Sequence, residues 1–133
     1  MRDLDLRNLF ENLAEKEKIK GHHSAEGRAI RTLSRGLSGW LAGNLDPMDV
    51  LVLCDQAIED WLKAKLKLSN WSTLPLAEIM PKAIQKDWLT RGEAVRLQRI
   101  RNLRQAASEK GAIPADRVAD ALQFCIRLVE KHW

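Results

Sequence analysis

Apolar residues in this chain recur at three- and four-residue steps along successive stretches, and no segment shows a convincing period of two. That pattern predicts an all-α protein, a helical bundle of about five to six helices. In the first stretch, Asp3 to Lys20, Leu6, Leu9, Phe10 and Leu13 form one apolar stripe, and Gly21 is a natural stop. Its second half, Glu15 to Lys20, is so charged that it is expected to project from the body or fray. The second helix is expected to run from a Ser24 cap to about Leu41, with Ala29, Ile30, Leu33, Leu37, Trp40 and Leu41 inward. Gly27, Gly36 and Gly39 weaken it, each by on the order of 1 kcal/mol relative to Ala. Such a helix needs tertiary contacts or the close approach of a neighbour.

Residues 43–47 break the pattern. Asp46 is placed to cap the next helix, Pro47 takes its first position, and Asp49 follows three residues after the cap. That helix, reaching to about Leu66, is the most apolar of the chain (Met48, Leu51, Val52, Cys54, Ala57, Ile58, Trp61, Leu62, Leu66) and is expected at the centre. Leu68 to Thr73 reads as a loop. Pro75 then opens a short helix whose inner Pro81 is expected to kink it or divide it. After another break at residues 111–114, a last helix runs from about Ala115 to His132, with Val118, Ala121, Leu122, Cys125, Leu128 and Val129 on its face.

Between the last two breaks lies the stretch Thr90 to Ala107, both basic and amphipathic. Thr90 and Glu93 have capping-box spacing, so each side chain can satisfy the other residue's free backbone N–H. Ala94, Leu97, Ile100, Leu103, Arg104 and Ala107 form a stripe from which Val95 is excluded. Five arginines (Arg91, Arg96, Arg99, Arg101, Arg104) stand here against one acid, Glu93. A solvated basic face accounts for such a row. What sets it apart is Arg101-Asn102, placed directly against the apolar stripe near the expected helix end, where a site would be held by the core and open to a charged ligand.

Composition adds bounds. A chain of 133 residues is long enough for one domain with a core. A net charge of +4 permits an acidic partner without demanding one. Five Trp and no Tyr make up most of the aromatic content, and Trp commonly anchors cores or interfaces. Cys54 and Cys125 lie in apolar helical stretches and read as small hydrophobes in a reducing compartment rather than a disulfide framework. With no secretory leader and no apolar run able to span a bilayer, the expectation is a soluble cytoplasmic protein without membrane attachment. Neither a metal nor another cofactor is implied. His22-His23 cannot alone fill a tetrahedral metal site and read as exposed turn residues. Glu59-Asp60 point in different directions on a helix and read as surface acids. The spacing in residues 29–43 resembles a helix-turn-helix only weakly.

From Asp46 onward the order of elements resembles the HEPN family of small helical bundles. The likeness is carried by AIEDWLKAKL, a short Pro-containing helix, LQRIRNLRQAAS and ADALQFCIRLVEKH, over roughly the last two thirds of the chain. Ile100-Arg101-Asn102 is similar to the (L/I)-R-N segment that opens the family's R-x4–6-H motif. The resemblance implies a HEPN-like bundle in residues 46–133, with 1–45 as an N-terminal helical extension joined to it in one compact domain. It also implies a homodimer whose paired motifs face one cleft, where family ribonucleases cut RNA without a metal. The departure is at the closing histidine, whose position falls on Ala106, Ala107 or Ser108. Ala has no titrating group, and Ser108 without a base is a poor acid or base. A replacement would have to come from His132, the imidazole at the end of the next helix.

The expectation is therefore a non-catalytic module that binds RNA or a nucleotide through Arg101, Asn102, Arg104, Arg96 and Arg99, arginine suiting phosphate through its planar fork of donors. Beside it stand three alternatives. One is architectural, with Arg101-Asn102 covering a helix junction. Another is a protein-interaction or assembly module, such as a toxin–antitoxin or defence-system partner, with Trp40, Trp71, Trp88 or Trp133 at its interface. The third is a ribonuclease with a rearranged site. No aromatic lies among the arginines, so the usual stacking platform for single strands is missing from that helix.

Overall fold

The computed structural model describes residues 3–20, 25–68, 74–110 and 113–131. They form six α-helices: α1 (Asp3–Lys20), α2 (Ala25–Ala42), α3 (Pro47–Lys65), α4 (Leu76–Gln85), α5 (Arg91–Lys110) and α6 (Ala115–Lys131). No strand occurs among the described residues, and the protein is an all-α helical bundle. No described helix is long and apolar enough to cross a membrane.

Helix α3 takes the centre because it is apolar on more than one face. Val50, Leu51, Cys54, Ala57, Ile58, Trp61 and Leu62 are all buried, and α2, α4, α5 and α6 pack around them. Val52, one of its expected apolar residues, is instead 38% exposed, in a concavity it shares with Ala77 of α4 and Gln98, Arg101 and Arg104 of α5. Helices α1 and α2 share this core: Leu6, Leu9 and Leu13 join Ile30, Leu33 and Leu37 in the same buried cluster as α3 and α6. The charged second half of α1 keeps its helical backbone to Lys20.

Gly39 shows why α2 tolerates its glycines. A Cβ there would fall on the side chain of Leu45, so the turn between α2 and α3 can fold back onto α2 only at a residue without one. At Gly36 an added Cβ would meet Leu53 Cβ at 3.5 Å, an ordinary contact.

Three helices end in the Schellman pattern, in which the chain passes through a left-handed residue and two amides return to the last turn. Gly43 (φ 73°) performs this after α2, Lys67 (φ 58°) after α3 and Asp87 (φ 64°) after α4. The returning bonds include Leu68 N–H to Lys63 C=O at 2.8 Å and Trp88 N–H to Ala83 C=O at 2.9 Å. Two expectations need correction at helix starts and interiors. Asp46 occupies the cap position of α3 with extended backbone, yet its side chain makes no capping hydrogen bond; its carbonyl instead accepts from Val50 N–H. Pro81 does not divide α4, which runs unbroken from Leu76 to Gln85. Ser24, Gly21 and residues 69–73, for which a cap, a stop and a loop were expected, lie outside the described residues.

Candidate functional site

Helix α5 starts as its sequence requires. Thr90 N–H donates to Glu93 Oε1 at 2.8 Å, and Glu93 N–H donates to Thr90 Oγ1 at 3.1 Å. Glu93 also receives the Lys131 ammonium at 3.2 Å, tying the first turn of α5 to the last turn of α6. Burial alone raises the Glu93 carboxyl, but the Thr90 amide and Lys131 outweigh it and hold the group below its ordinary range.

Farther along, α5 packs less completely than its stripe suggests. Of the apolar members described, only Leu97 is buried, whereas Ala94, Ile100 and Leu103 remain half-buried and Val95 is 52% exposed. The cause is position. Helix α5 rests on α3 and α4, while its contact with α6 is slight. The helix also extends to Lys110, so Arg101-Asn102 stands in its interior rather than near its end.

This geometry splits the five expected site residues between two faces. Arg101 and Arg104 turn toward α3, where Asp55 receives Arg104 Nη1 at 2.9 Å and Arg101 Nε at 3.7 Å. Asp55 is only 14% exposed. Burial pushes its carboxyl above the ordinary value, against the opposing pull of Arg104 and Arg101. A carboxylate therefore already occupies the place a phosphate would take between those two arginines. Sequence spacing could not assign this partner, since Asp55 lies one helix away on α3, among nine apolar residues that dominate its stretch.

Arg96, Arg99 and Asn102 face the other way, into an open groove of about 530 Å³ between α5 and α6. Its floor is Ile100, Leu103, Ala121 and Phe124, and α6 adds Arg117 and Asp120 to the rim. The Arg96 guanidinium lies over the Phe124 ring, 4.2 Å from its centroid, a favourable cation–π arrangement. Asn102 Oδ1 accepts a hydrogen bond from Gln98 Nε2 at 3.0 Å. Arg99 and Arg117 are exposed and form no ion pair with any described residue. Past Arg96 and Phe124 the groove continues into a second concavity lined by Arg127 and Lys131. Arg117 and the α6 wall were missed in the sequence because only the tertiary placement of α6 beside α5 brings Arg117 to this groove.

The remaining expectations divide similarly. Trp61 is buried in the core, and Trp40 and Trp88 are half-buried against it; Trp71 and Trp133 lie outside the described residues. Lys65 sits over the Trp88 ring at 5.0 Å and pairs with Glu26 at 3.2 Å. Glu59 pairs with Lys63 at 3.5 Å, and burial is the largest influence raising the Asp60 carboxyl. Cys54 and Cys125 are both buried and free; their mutual hydrogen bond, then burial, pushes the Cys125 thiol well above its usual value. All three histidines lie outside the described residues, and no cluster able to hold a metal occurs among the described ones.

Fold and site together define an all-α bundle with a basic-rimmed, apolar-floored groove along its last two helices. No protein-family model, curated protein or solved structure matches the chain.

Proposed function

We propose that this chain is a non-catalytic helical binding module that captures an anionic partner along the α5–α6 groove. The observation carrying the reading is that Arg99 and Arg117, from facing helices, border one apolar-floored groove without described carboxylate partners of their own. Three arginines against one acid, Asp120, around a concave apolar surface attract and orient an anionic ligand. Of the partner classes suggested by the sequence, protein suits this groove better than RNA. Arg101 and Arg104 already hold Asp55, and the groove's aromatic ring, Phe124, is 8% exposed beneath Arg96. A base has no open ring to stack on there.

RNA or nucleotide binding stands as the second reading, favoured by the short spacing of Arg96, Arg99 and Arg117 around one opening. Membership in the HEPN-like bundles and pairing as a homodimer belong to the same proposal. Their support is the all-α architecture and the Arg101-Asn102 pair on the next-to-last helix.

Fluorescence anisotropy with a labelled single-stranded RNA and a labelled Glu-rich helical peptide, each at low and moderate salt, tests the module. Salt-sensitive binding of at least one probe, lost in the Arg99→Ala/Arg117→Ala double variant, is the expected result. Binding of neither probe, or binding untouched by the double variant, would refute it.

A further inference from the structure

Helix α5 is incompletely packed by the described residues of its own chain. Ile100 and Leu103, both at stripe positions, stay half-buried because α6 stands off from α5 along the groove. The two helices are joined at one end by the Glu93–Lys131 pair and by Arg96 over Phe124, and their backbones otherwise approach each other little. The open interval from Glu93 to Ala106 is about 20 Å long at 1.5 Å per residue. That length accommodates a helix of about 13 residues, between three and four turns.

The charges around the interval are uneven. Arg96, Arg99, Arg117 and Arg127 line it, while the acids are Asp120 and Glu93, the latter already held by Lys131. Along the floor, Ile100, Leu103 and Ala121 present apolar surface, a combination that suits an amphipathic partner rather than a purely polyanionic one. An apolar stripe on the partner would cover this floor, and carboxylates flanking the stripe would meet Arg99 on one wall and Arg117 on the other.

We infer that the α5–α6 groove is the docking site for an acidic amphipathic helix of another protein, three to four turns long, whose apolar stripe seats on Ile100 and Leu103. This rests on the anionic-partner reading above and names the chemistry of that partner. Bound there, the helix lies between two helices of the bundle and completes the packing that α5 lacks.

The test uses designed helical peptides of about 14 residues: one with a Leu stripe flanked by Glu, one with the same Glu residues and a Ser stripe, and one with the Leu stripe flanked by Lys. A single-stranded RNA serves as a fourth probe. Affinities are read by anisotropy on the full chain, with circular dichroism confirming that every variant keeps its helices. The Leu/Glu peptide is expected to bind at least about tenfold more tightly than the other probes, that factor being one well-placed interaction. Leu103→Ser should weaken it without altering its salt dependence. Arg99→Glu should weaken it and improve binding of the Leu/Lys peptide. Equal binding of the Leu- and Ser-stripe peptides would overturn the helix-docking inference while leaving the anionic-partner reading intact. So would tighter binding of RNA, or a dimer in sedimentation velocity that dissociates on Leu103→Ser. Failure of all four probes would overturn both.

Discussion

Asp55 and Arg104 meet at 2.9 Å across the α3–α5 interface, and Arg101 joins the same carboxylate at 3.7 Å. The pairing makes Arg101 and Arg104 part of the architecture that seats the basic helix. Under the proposed function, capture of an anionic partner falls to the opposite face, that of Arg96, Arg99 and Asn102. A half-buried pair of this kind lies between exposed pairs, worth up to about 1 kcal/mol, and fully buried ones, whose breakage costs about 3–5 kcal/mol. Arg104→Ala is accordingly expected to destabilise the fold by roughly 1–2 kcal/mol. In a urea-denaturation double-mutant cycle, Asp55→Ala and Arg104→Ala should be strongly non-additive. Additive losses would mean that the contact contributes nothing.

The two perturbed carboxylates beside α5 give opposite responses to acid. Glu93 has a folded pKa below its ordinary 4.5, so the folded state favours its charged form. Its stabilising contribution is complete above that value and fades as pH falls through the folded pKa. Asp55 has a folded pKa above its ordinary 3.8, so stability from this group rises as pH falls through the folded pKa toward 3.8. Glu93→Gln should therefore cost stability at neutral pH, with the difference from wild type shrinking in acid. Asp55→Asn should remove a gain that wild type shows on mild acidification. Chemical denaturation at several pH values reads both; identical pH profiles for the two variants would contradict these assignments.

Left-handed backbone at Lys67 and Asp87 strains two helix ends. For a residue with a Cβ that conformation costs roughly 1–2 kcal/mol, less for Asp. Lys67→Gly is expected to raise stability by about 0.5–1 kcal/mol, and Asp87→Gly by less. In α2 the signs separate by position. Gly36→Ala should be neutral or stabilising, since its Cβ has room, whereas Gly39→Ala should cost on the order of 1–3 kcal/mol by driving Leu45 from its seat. Thermal unfolding of the four single variants checks this ordering.

Much of this architecture could be read from the chain because it depends on local rules. The apolar spacing of α3 announced its central place, and Thr90 and Glu93 announced the start of α5. The left-handed ends at Lys67 and Asp87 were hidden, because neither residue is the glycine that normally marks such a turn. Of the two outcomes open to Pro81, a kink or a division, the division does not occur: a proline inside a helix sacrifices a single amide donor, and burial of Ile79, Met80 and Ala83 holds the helix together. The sequence grouped Arg96, Arg99, Arg101, Asn102 and Arg104 as one set, and the structure places them on two faces of α5. Helical spacing alone separates Arg101 and Arg104 from Arg99, but only tertiary placement reveals that Asp55 takes the first two and that Arg117 lines the same groove as the third.

The buried thiols provide a reactivity test. Cys54 and Cys125 are both buried, and the Cys125 thiol is held strongly in its neutral form. Thiolate is the reactive species, so both should resist a thiol-specific disulfide reagent in the native protein and react together upon unfolding. Rapid modification of either under native conditions would show that α3 and α6 separate easily.

Backbone hydrogen exchange with and without the Leu/Glu peptide tests the groove most directly. Added protection is expected in residues 96–106 of α5 and 117–124 of α6, with α1 and α2 unchanged. Protection centred on α1 and α2, or none at peptide concentrations that saturate binding, would contradict the claim that α5 and α6 form the binding surface.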